Sequence, residues 1–204
     1  MSMITVTFQN KAEVQDDCRK WAEEIGQEYE PDAIVFIAKS GFLFAEAMAE
    51  KLQVPMADVS AGRPGNDGKD IIARIVPKMP RFLLALALSS KAQICYNREN
   101  SERNVVVSER LRKLCDRRPK RVLVVDDSID TGWTVLKVKE ELARMMSDAE
   151  IRIAGYCVLT SSEDMVRADY FRYKNRIVVT ATSRYSAEYR FFLDEFEEWK
   201  NQFV

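Results

Sequence analysis

Histidine is absent from this chain of 204 residues. Its absence excludes a catalytic triad built on imidazole and any metal site that needs a histidine ligand. Proton transfer must therefore use a carboxylate, a lysine, a tyrosine or water. Cysteine is scarce as well, since Cys18, Cys95, Cys115 and Cys157 are scattered without the spacing of a metal site. This usage indicates reduced thiols in a cytoplasmic protein rather than a disulfide framework.

A dominant charge and long apolar runs are also missing. The 31 basic and 32 acidic residues give a net charge of −1, which argues against a protein that coats nucleic acid through bulk charge. No stretch is apolar over the length that a bilayer requires, and the start of the chain does not resemble a signal peptide. We therefore expect no membrane partner. With 47% hydrophobic residues, the length predicts a single globular domain, residues 1–204.

Short apolar runs alternate along the chain with segments whose apolar residues recur at helical spacing. The runs predict strands at Ala33–Ala38, Val54–Val59, Asn104–Val107, Val122–Val125, Ile151–Thr160 and Arg176–Thr180. Helices are predicted at Lys11–Glu30, Phe42–Leu52, Phe82–Leu88, Ser108–Leu114, Val135–Leu142 and Ser186–Trp199. This alternation, without an internal repeat, predicts an α/β fold with a mostly parallel central sheet flanked by helices.

The strand predicted at Val122–Val125 ends in the most informative turn of the chain. That turn reads Asp126-Asp127-Ser128-Ile129-Asp130-Thr131-Gly132-Trp133-Thr134, and a helical pattern follows it. Strand, turn and helix in this order place the turn at the carboxyl edge of the sheet, where such folds bind ligands. The unpaired N–H groups of a first helical turn attract a phosphate, and Gly132 permits its close approach. The two leading acids suit sugar hydroxyls or the water shell of Mg²⁺.

At these residues the chain resembles the type I phosphoribosyltransferases and their signature for phosphoribosyl pyrophosphate (PRPP). The signature is a run of aliphatics, two acids, two variable positions, Asp-Thr-Gly, one variable position and Thr. Two alternatives remain open for the same turn. One is an ordinary helix cap after an acid pair. The other is a receiver domain, although that fold carries its acids near the start of the chain and lacks the Asp-Thr-Gly-x-Thr turn.

The resemblance implies a role for each residue of the motif. The 5-phosphate of PRPP is expected at Asp130, Thr131, Gly132, Trp133 and Thr134. Asp126 and Asp127 are expected to bind the ribose hydroxyls and, largely indirectly, the cofactor Mg²⁺. Asp130 is the expected proton acceptor, so the three acids form the predicted catalytic set. The implied reaction transfers the 5-phosphoribosyl group from PRPP to a nitrogen nucleophile, a nucleobase in the resembled family, and releases pyrophosphate.

An upstream turn resembles the family's pyrophosphate-binding loop. It follows the strand Ala33–Ala38 and consists of Lys39, Ser40 and Gly41. Lys39 would meet the charge of the leaving group, and the N–H groups of the next two residues would bind it. A flexible loop is predicted at about residues 60–76, either as a lid that closes over PRPP or as an insertion.

The acceptor site is where the chain departs from the family pattern. The purine salvage branch has a lysine after the strand that follows the PRPP motif, whereas Val158–Asp164 contains none. Hood elements are expected from the N- and C-terminal segments. The aromatic side chains of Tyr170, Phe171 and Tyr173 would either stack on a base or pack in the core.

A second class of function stays open, namely a regulator that binds PRPP or a nucleotide without transferase activity. The basic cluster, Arg110 to Arg121, is either a solvated helix face or a contact for RNA or phosphate. The resemblance also implies a homodimer, with the helix Phe82–Leu88 as its candidate interface.

Overall fold

The described residues, 5–62, 85, 104–162 and 165–202 of a computed structural model, contain eight strands and five α-helices. The strands are β1 (Thr5–Phe8), β2 (Ala33–Ala38), β3 (Met56–Gly62), β4 (Asn104–Val107), β5 (Arg121–Ile129), β6 (Glu150–Val158), β7 (Tyr170–Lys174) and β8 (Arg176–Val179). The helices are α1 (Lys11–Glu28), α2 (Phe42–Leu52), α3 (Glu109–Asp116), α4 (Trp133–Met145) and α5 (Tyr189–Asn201). A short 3₁₀ turn spans Thr160–Ser162.

The central sheet has the strand order β4-β3-β2-β5-β6-β7. All neighbours pair in parallel except β4, which runs antiparallel to β3 at one edge. Strands β1 and β8 form a separate parallel pair. Parallel neighbours need crossover connections, and helices follow most of these strands along the chain. The helices α1, α2, α4 and α5 cover both faces of the sheet. This arrangement confirms the predicted α/β class with a mostly parallel sheet.

Two apolar cores cover the two faces of the sheet. One core joins the sheet to α1, α2 and α5, and its aromatic centre packs Phe36 against Phe42 and Trp199 at centroid distances of 5.8 and 5.2 Å. The other core joins the sheet to α3 and α4. Both faces of β2 and β5 are therefore buried, which explains why these strands are continuous apolar runs. Burial on both faces fixes the carboxyl ends of these two strands.

Two strands extend further at their carboxyl ends than predicted. β5 continues four residues beyond Val125, since it still pairs with β6 where Ser128 lies opposite Cys157. β3 ends at Gly62 instead of Val59, because Ser60 to Gly62 pair with β4. These three residues therefore belong to a strand and not to the predicted loop. The rest of that loop and the predicted helix Phe82–Leu88 lie outside the described residues, except for Ala85.

Within the described part of the chain, no helix combines the length and the apolar character that a membrane span needs. The three cysteines in that part, Cys18, Cys115 and Cys157, are free thiols.

Candidate active site

Both predicted phosphate turns lie at the carboxyl edge of adjacent strands. β2 and β5 pair in parallel with Phe36 opposite Val125, so their ends reach the same edge side by side. The turn after β2 leads into α2, and the turn after β5 leads into α4. Neighbouring strands are about 4.8 Å apart, which brings the two turns within reach of one small ligand.

The turn after β5 depends on a glycine at its tightest point. Gly132 has φ of +77°, in the left-handed region, and it is the N-cap of α4. A Cβ atom there would lie 2.8 Å from Val166 Cγ1 and 3.1 Å from the Ser162 carbonyl oxygen. Only glycine tolerates both the backbone conformation and this close packing. No side chain caps α4, so its first N–H groups are open to an anion.

The turn after β2 packs against the end of β5. A Cβ atom on Gly41 would lie 2.7 Å from the Ile37 carbonyl oxygen and 2.9 Å from the Val125 carbonyl oxygen. Gly41 is also the N-cap of α2, again without a capping side chain. Lys39 is exposed, and the peptide bond between Ala38 and Lys39 is cis. Two uncapped helix N-termini therefore lie next to each other, with a lysine beside them.

Hydrogen bonds connect the two turns and order the acids. The Ser40 hydroxyl donates to Asp127 Oδ1 at 2.8 Å, which joins the turn after β2 to the carboxyl end of β5. The Asp127 N–H donates to Asp126 Oδ1 at 3.0 Å. The Ser128 hydroxyl donates to Asp130 Oδ1 at 2.5 Å. Asp126 and Asp127 thus lie at the carboxyl end of β5 and Asp130 in the turn that follows, with Asp126 only 6% exposed and Asp130 exposed.

The electrostatics of the acid pair favour a bound cation. Burial raises the pKa of the Asp126 carboxyl well above its usual range, and the neighbouring Asp127 carboxylate raises it further. Burial also raises the pKa of Asp127, while the hydrogen bond from Ser40 lowers it. Both shifts mean that the ionised pair is destabilised when nothing positive lies beside it. A cation or a developing positive charge at this position would offset that cost.

The acid pair also fits the way proteins hold Mg²⁺. Among the described residues, no group of three or more carboxylates or thiols is arranged to hold a metal ion. Mg²⁺ typically keeps several waters and binds through one or two carboxylates together with substrate phosphates. Asp126 and Asp127 supply the carboxylates, and the adjacent turns are suited to the phosphates. The residues present are compatible with a metal that enters together with a phosphorylated ligand.

The structure adds residues that the motif search missed. Ser162 and Val166 form the wall behind Gly132, and the Asn175 side chain accepts from the Thr160 N–H at 2.9 Å. This segment follows β6 and carries no recognisable sequence motif, so only the three-dimensional packing reveals its position. Of the predicted aromatic residues, Tyr173 packs against Tyr156 at 5.3 Å. That contact favours packing in the core, and not stacking on a base, as the role of Tyr173.

Comparisons with known proteins extend over most of the chain. Residues 7–190 match the family described as the phosphoribosyl transferase domain. No match is found among curated protein sequences. A purine phosphoribosyltransferase from Pyrococcus horikoshii OT3 superposes with a TM-score of 0.57 at 18% identity, covering 87% of this chain and 93% of that one.

Two further solved structures are similar. The Helicobacter pylori xanthine-guanine-hypoxanthine phosphoribosyltransferase has a TM-score of 0.60 at 12% identity, covering 93% of this chain and 99% of its own. A hypothetical protein from Neisseria gonorrhoeae with bound ppGpp has a TM-score of 0.58 at 15% identity, covering 98% and 99%. At such identities, the structural likeness shows a shared fold.

Proposed function

Because the chain belongs to the phosphoribosyltransferase family and is an enzyme of that class, we propose that it transfers the 5-phosphoribosyl group of PRPP to a nucleobase nitrogen. The reaction would require Mg²⁺ and release pyrophosphate. The observation that carries this proposal is the bond from Ser40 to Asp127, at 2.8 Å. It joins the turn after β2 to the end of β5, from which the second turn leads. Two adjacent turns that could each bind an anion suit PRPP, which has two anionic groups on one ribose.

Each turn is suited to one end of PRPP. The 5-phosphate would accept hydrogen bonds from the N–H groups of Asp130, Thr131, Gly132, Trp133 and Thr134. The pyrophosphate would accept from the N–H groups of Ser40 and Gly41, with Lys39 beside it. The Gly41 N–H, which donates to the Ile37 carbonyl oxygen at 3.0 Å, would exchange that bond for one to the ligand. The N-termini of α4 and α2 support this assignment, since neither has a capping side chain and each provides a positive dipole end.

The acids would act on the sugar and on the acceptor. Asp126 and Asp127 would accept hydrogen bonds from the ribose hydroxyls. In the reaction, the bond between the anomeric carbon and the pyrophosphate oxygen breaks, and pyrophosphate leaves with the electron pair. A bond from the acceptor nitrogen to that carbon forms, and Asp130 takes the proton from nitrogen. Positive charge that develops on the ribose is stabilised by the nearby carboxylates.

Magnesium would be held beside the same acids. Asp126 and Asp127 would contact it largely through water, while the ligand's phosphate oxygens would complete its coordination. When bound, the ion neutralises charge on the pyrophosphate leaving group. The raised pKa values of both carboxyls support this role, because a neighbouring cation favours their ionised forms.

The remaining parts of the proposal concern the surroundings of the site. The pair β1 and β8 would form the hood over the acceptor, since it is separate from the central sheet. A homodimer and a cytoplasmic location complete the proposal. Light scattering of the purified protein tests the dimer, and a monomeric mass at micromolar concentration would exclude it.

Pyrophosphate release tests the activity. The protein is incubated with PRPP, Mg²⁺ and a panel of nucleobases, with and without a chelator. We expect release that depends on one base, on Mg²⁺ and on the acid pair, so the variant Asp126→Asn with Asp127→Asn should lose it. Asp148→Asn is the matched control, since this carboxylate is exposed and lies in the loop before β6. Absence of release with every base, despite PRPP binding, would contradict the proposed transfer.

A nucleotide-responsive regulator is the second candidate. Its support is the likeness over 98% of the chain to the Neisseria gonorrhoeae protein with bound ppGpp. Like PRPP, ppGpp has two phosphorylated positions on one ribose, so two adjacent anion-binding turns suit either molecule. Calorimetry with ppGpp and with PRPP separates the candidates. A regulator should bind ppGpp without turning over PRPP, and salt-sensitive RNA binding would also favour it.

A further inference from the structure

The basic cluster of the sequence divides into residues with different surroundings. Arg121 pairs with Glu30 and Lys120 lies near Asp148, both at the surface. Arg110 and Lys113, in contrast, share one face of α3, and Arg117 at its C-cap continues that face, because the three residues are spaced by three and four positions. That face borders a cavity of about 280 Å³.

The cavity combines positive charge with an apolar floor. Arg110, Lys113 and Arg117 line one side, Trp199 of α5 lines another, and Met56 and Leu114 contribute apolar surface. No acidic residue is among the described residues that line it. Its volume is close to the lower end of the range for small-molecule sites, about 300 Å³. An elongated anion with an apolar part matches both properties.

Arg110 has a structural role in this cavity. Its guanidinium lies 3.8 Å from the centroid of the Trp199 ring and donates to the Trp199 and Lys200 carbonyl oxygens at 2.6 and 2.8 Å. These contacts cap the end of α5 and fix the wall of the cavity. Lys113 and Arg117 have no such role. Among the ion pairs of the described residues, Lys113 pairs only with the exposed Glu109, at 3.0 Å. Such surface pairs contribute little to stability.

The cavity is separate from the two phosphate turns. Met56 lies opposite Ile34, which lies opposite Leu123, three residues before Asp126. At about 3.3 Å per residue, Met56 is about 10 Å short of the acids along the strands, and two strand spacings add about 10 Å sideways. A ligand in the cavity would therefore not contact the acids.

We propose that this cavity binds a small organic phosphate. A phosphate monoester carries close to two negative charges at neutral pH, so Lys113 and Arg117 together match its charge. Its apolar part lies on Met56 and Leu114, beside the guanidinium of Arg110. The alternative explanation for the two cations is their favourable position near the C-terminus of α3, where basic side chains stabilise the helix dipole.

Calorimetric titration with phenyl phosphate tests the proposal. We expect saturable binding of one molecule per chain, tighter than that of inorganic phosphate, because the phenyl ring adds apolar contact. The double variant Lys113→Gln with Arg117→Gln should bind at least about tenfold more weakly. The matched control is Arg112→Gln with Lys120→Gln, which removes the same charge at exposed residues outside the cavity. The control should bind as the wild type does.

A second titration contains saturating PRPP and Mg²⁺. We expect unchanged phenyl phosphate binding, since the cavity is separate from the turns. Displacement by PRPP would place the phosphate in the turns and overturn the proposal. A lack of saturable phenyl phosphate binding would also overturn the proposal. Equal weakening of that binding by the control variant, Arg112→Gln with Lys120→Gln, would do the same. The single variants Lys113→Gln and Arg117→Gln, each at an exposed side chain, keep the test valid if the double variant does not fold.

Discussion

Replacing Ser40 by alanine removes a hydroxyl that joins the turn after β2 to the end of β5, which leads into the second proposed phosphate turn. The hydroxyl donates to the Asp127 carboxylate at 2.8 Å, and Ser40 is half-buried. A hydrogen bond to a charged group contributes about 1.5–3 kcal/mol, and partial exposure favours the lower end of that range. About 1.5 kcal/mol corresponds to about a tenfold change in an equilibrium constant. We therefore expect Ser40→Ala to weaken PRPP binding about tenfold.

Calorimetry with PRPP and Mg²⁺ measures this effect. Ser40→Thr retains the hydroxyl and should bind close to the wild type. Ser147→Ala is the control, since its hydroxyl is 3.5 Å from the Asp148 carboxylate, on the loop before β6 and away from the turns. The same bond lowers the pKa of Asp127, so its loss also makes the ionised acid less favourable.

Two results would refute the reasoning about Ser40. If Ser40→Ala bound PRPP within twofold of the wild type, the hydroxyl would not hold the turns in the bound state. If Ser147→Ala weakened binding as much, the effect would not be specific to the connection between the turns.

Three further variants test the same site. Asp126→Asn should raise the thermal midpoint of the ligand-free protein at neutral pH. Folding raises the pKa of the Asp126 carboxyl, so the wild type loses stability as the pH rises through the folded-state pKa, and the uncharged asparagine avoids this loss. The variant should flatten that pH dependence and abolish turnover, and an unchanged midpoint at neutral pH would contradict it. Gly132→Ala should lose about 1–2 kcal/mol of stability from its φ of +77° alone, together with 5-phosphate binding; chemical denaturation and calorimetry check both. Gly41→Ala should remain folded by circular dichroism but lose PRPP binding, because backbone oxygens 2.7 and 2.9 Å from the new Cβ atom must shift. Normal PRPP binding by Gly41→Ala would show that the turn tolerates displacement.

Local patterns in the sequence determined the strands and helices that carry the site. β2, α2 and β4 occupy the predicted bounds. β2 is an uninterrupted apolar run, and α2 is an apolar segment that begins after the Lys39-Ser40-Gly41 turn. The ends of β3 and β5 were placed wrongly, since pairing with β4 and β6 extends these strands through residues that look like loop. Strand length there depends on neighbours that are distant in the sequence.

The order of acids, glycines and hydroxyls along the chain was enough to identify the family and to predict two phosphate-binding turns. Sequence order cannot state that Ser40 bonds to Asp127, since 87 residues separate them and only the pairing of β2 with β5 brings them together. The same holds for Val166 behind Gly132, and for the cavity between α3 and α5. Residue types along a segment determine which chemistry is available. The packing of distant segments decides which of those groups meet, how deeply they are buried and therefore how their charges behave.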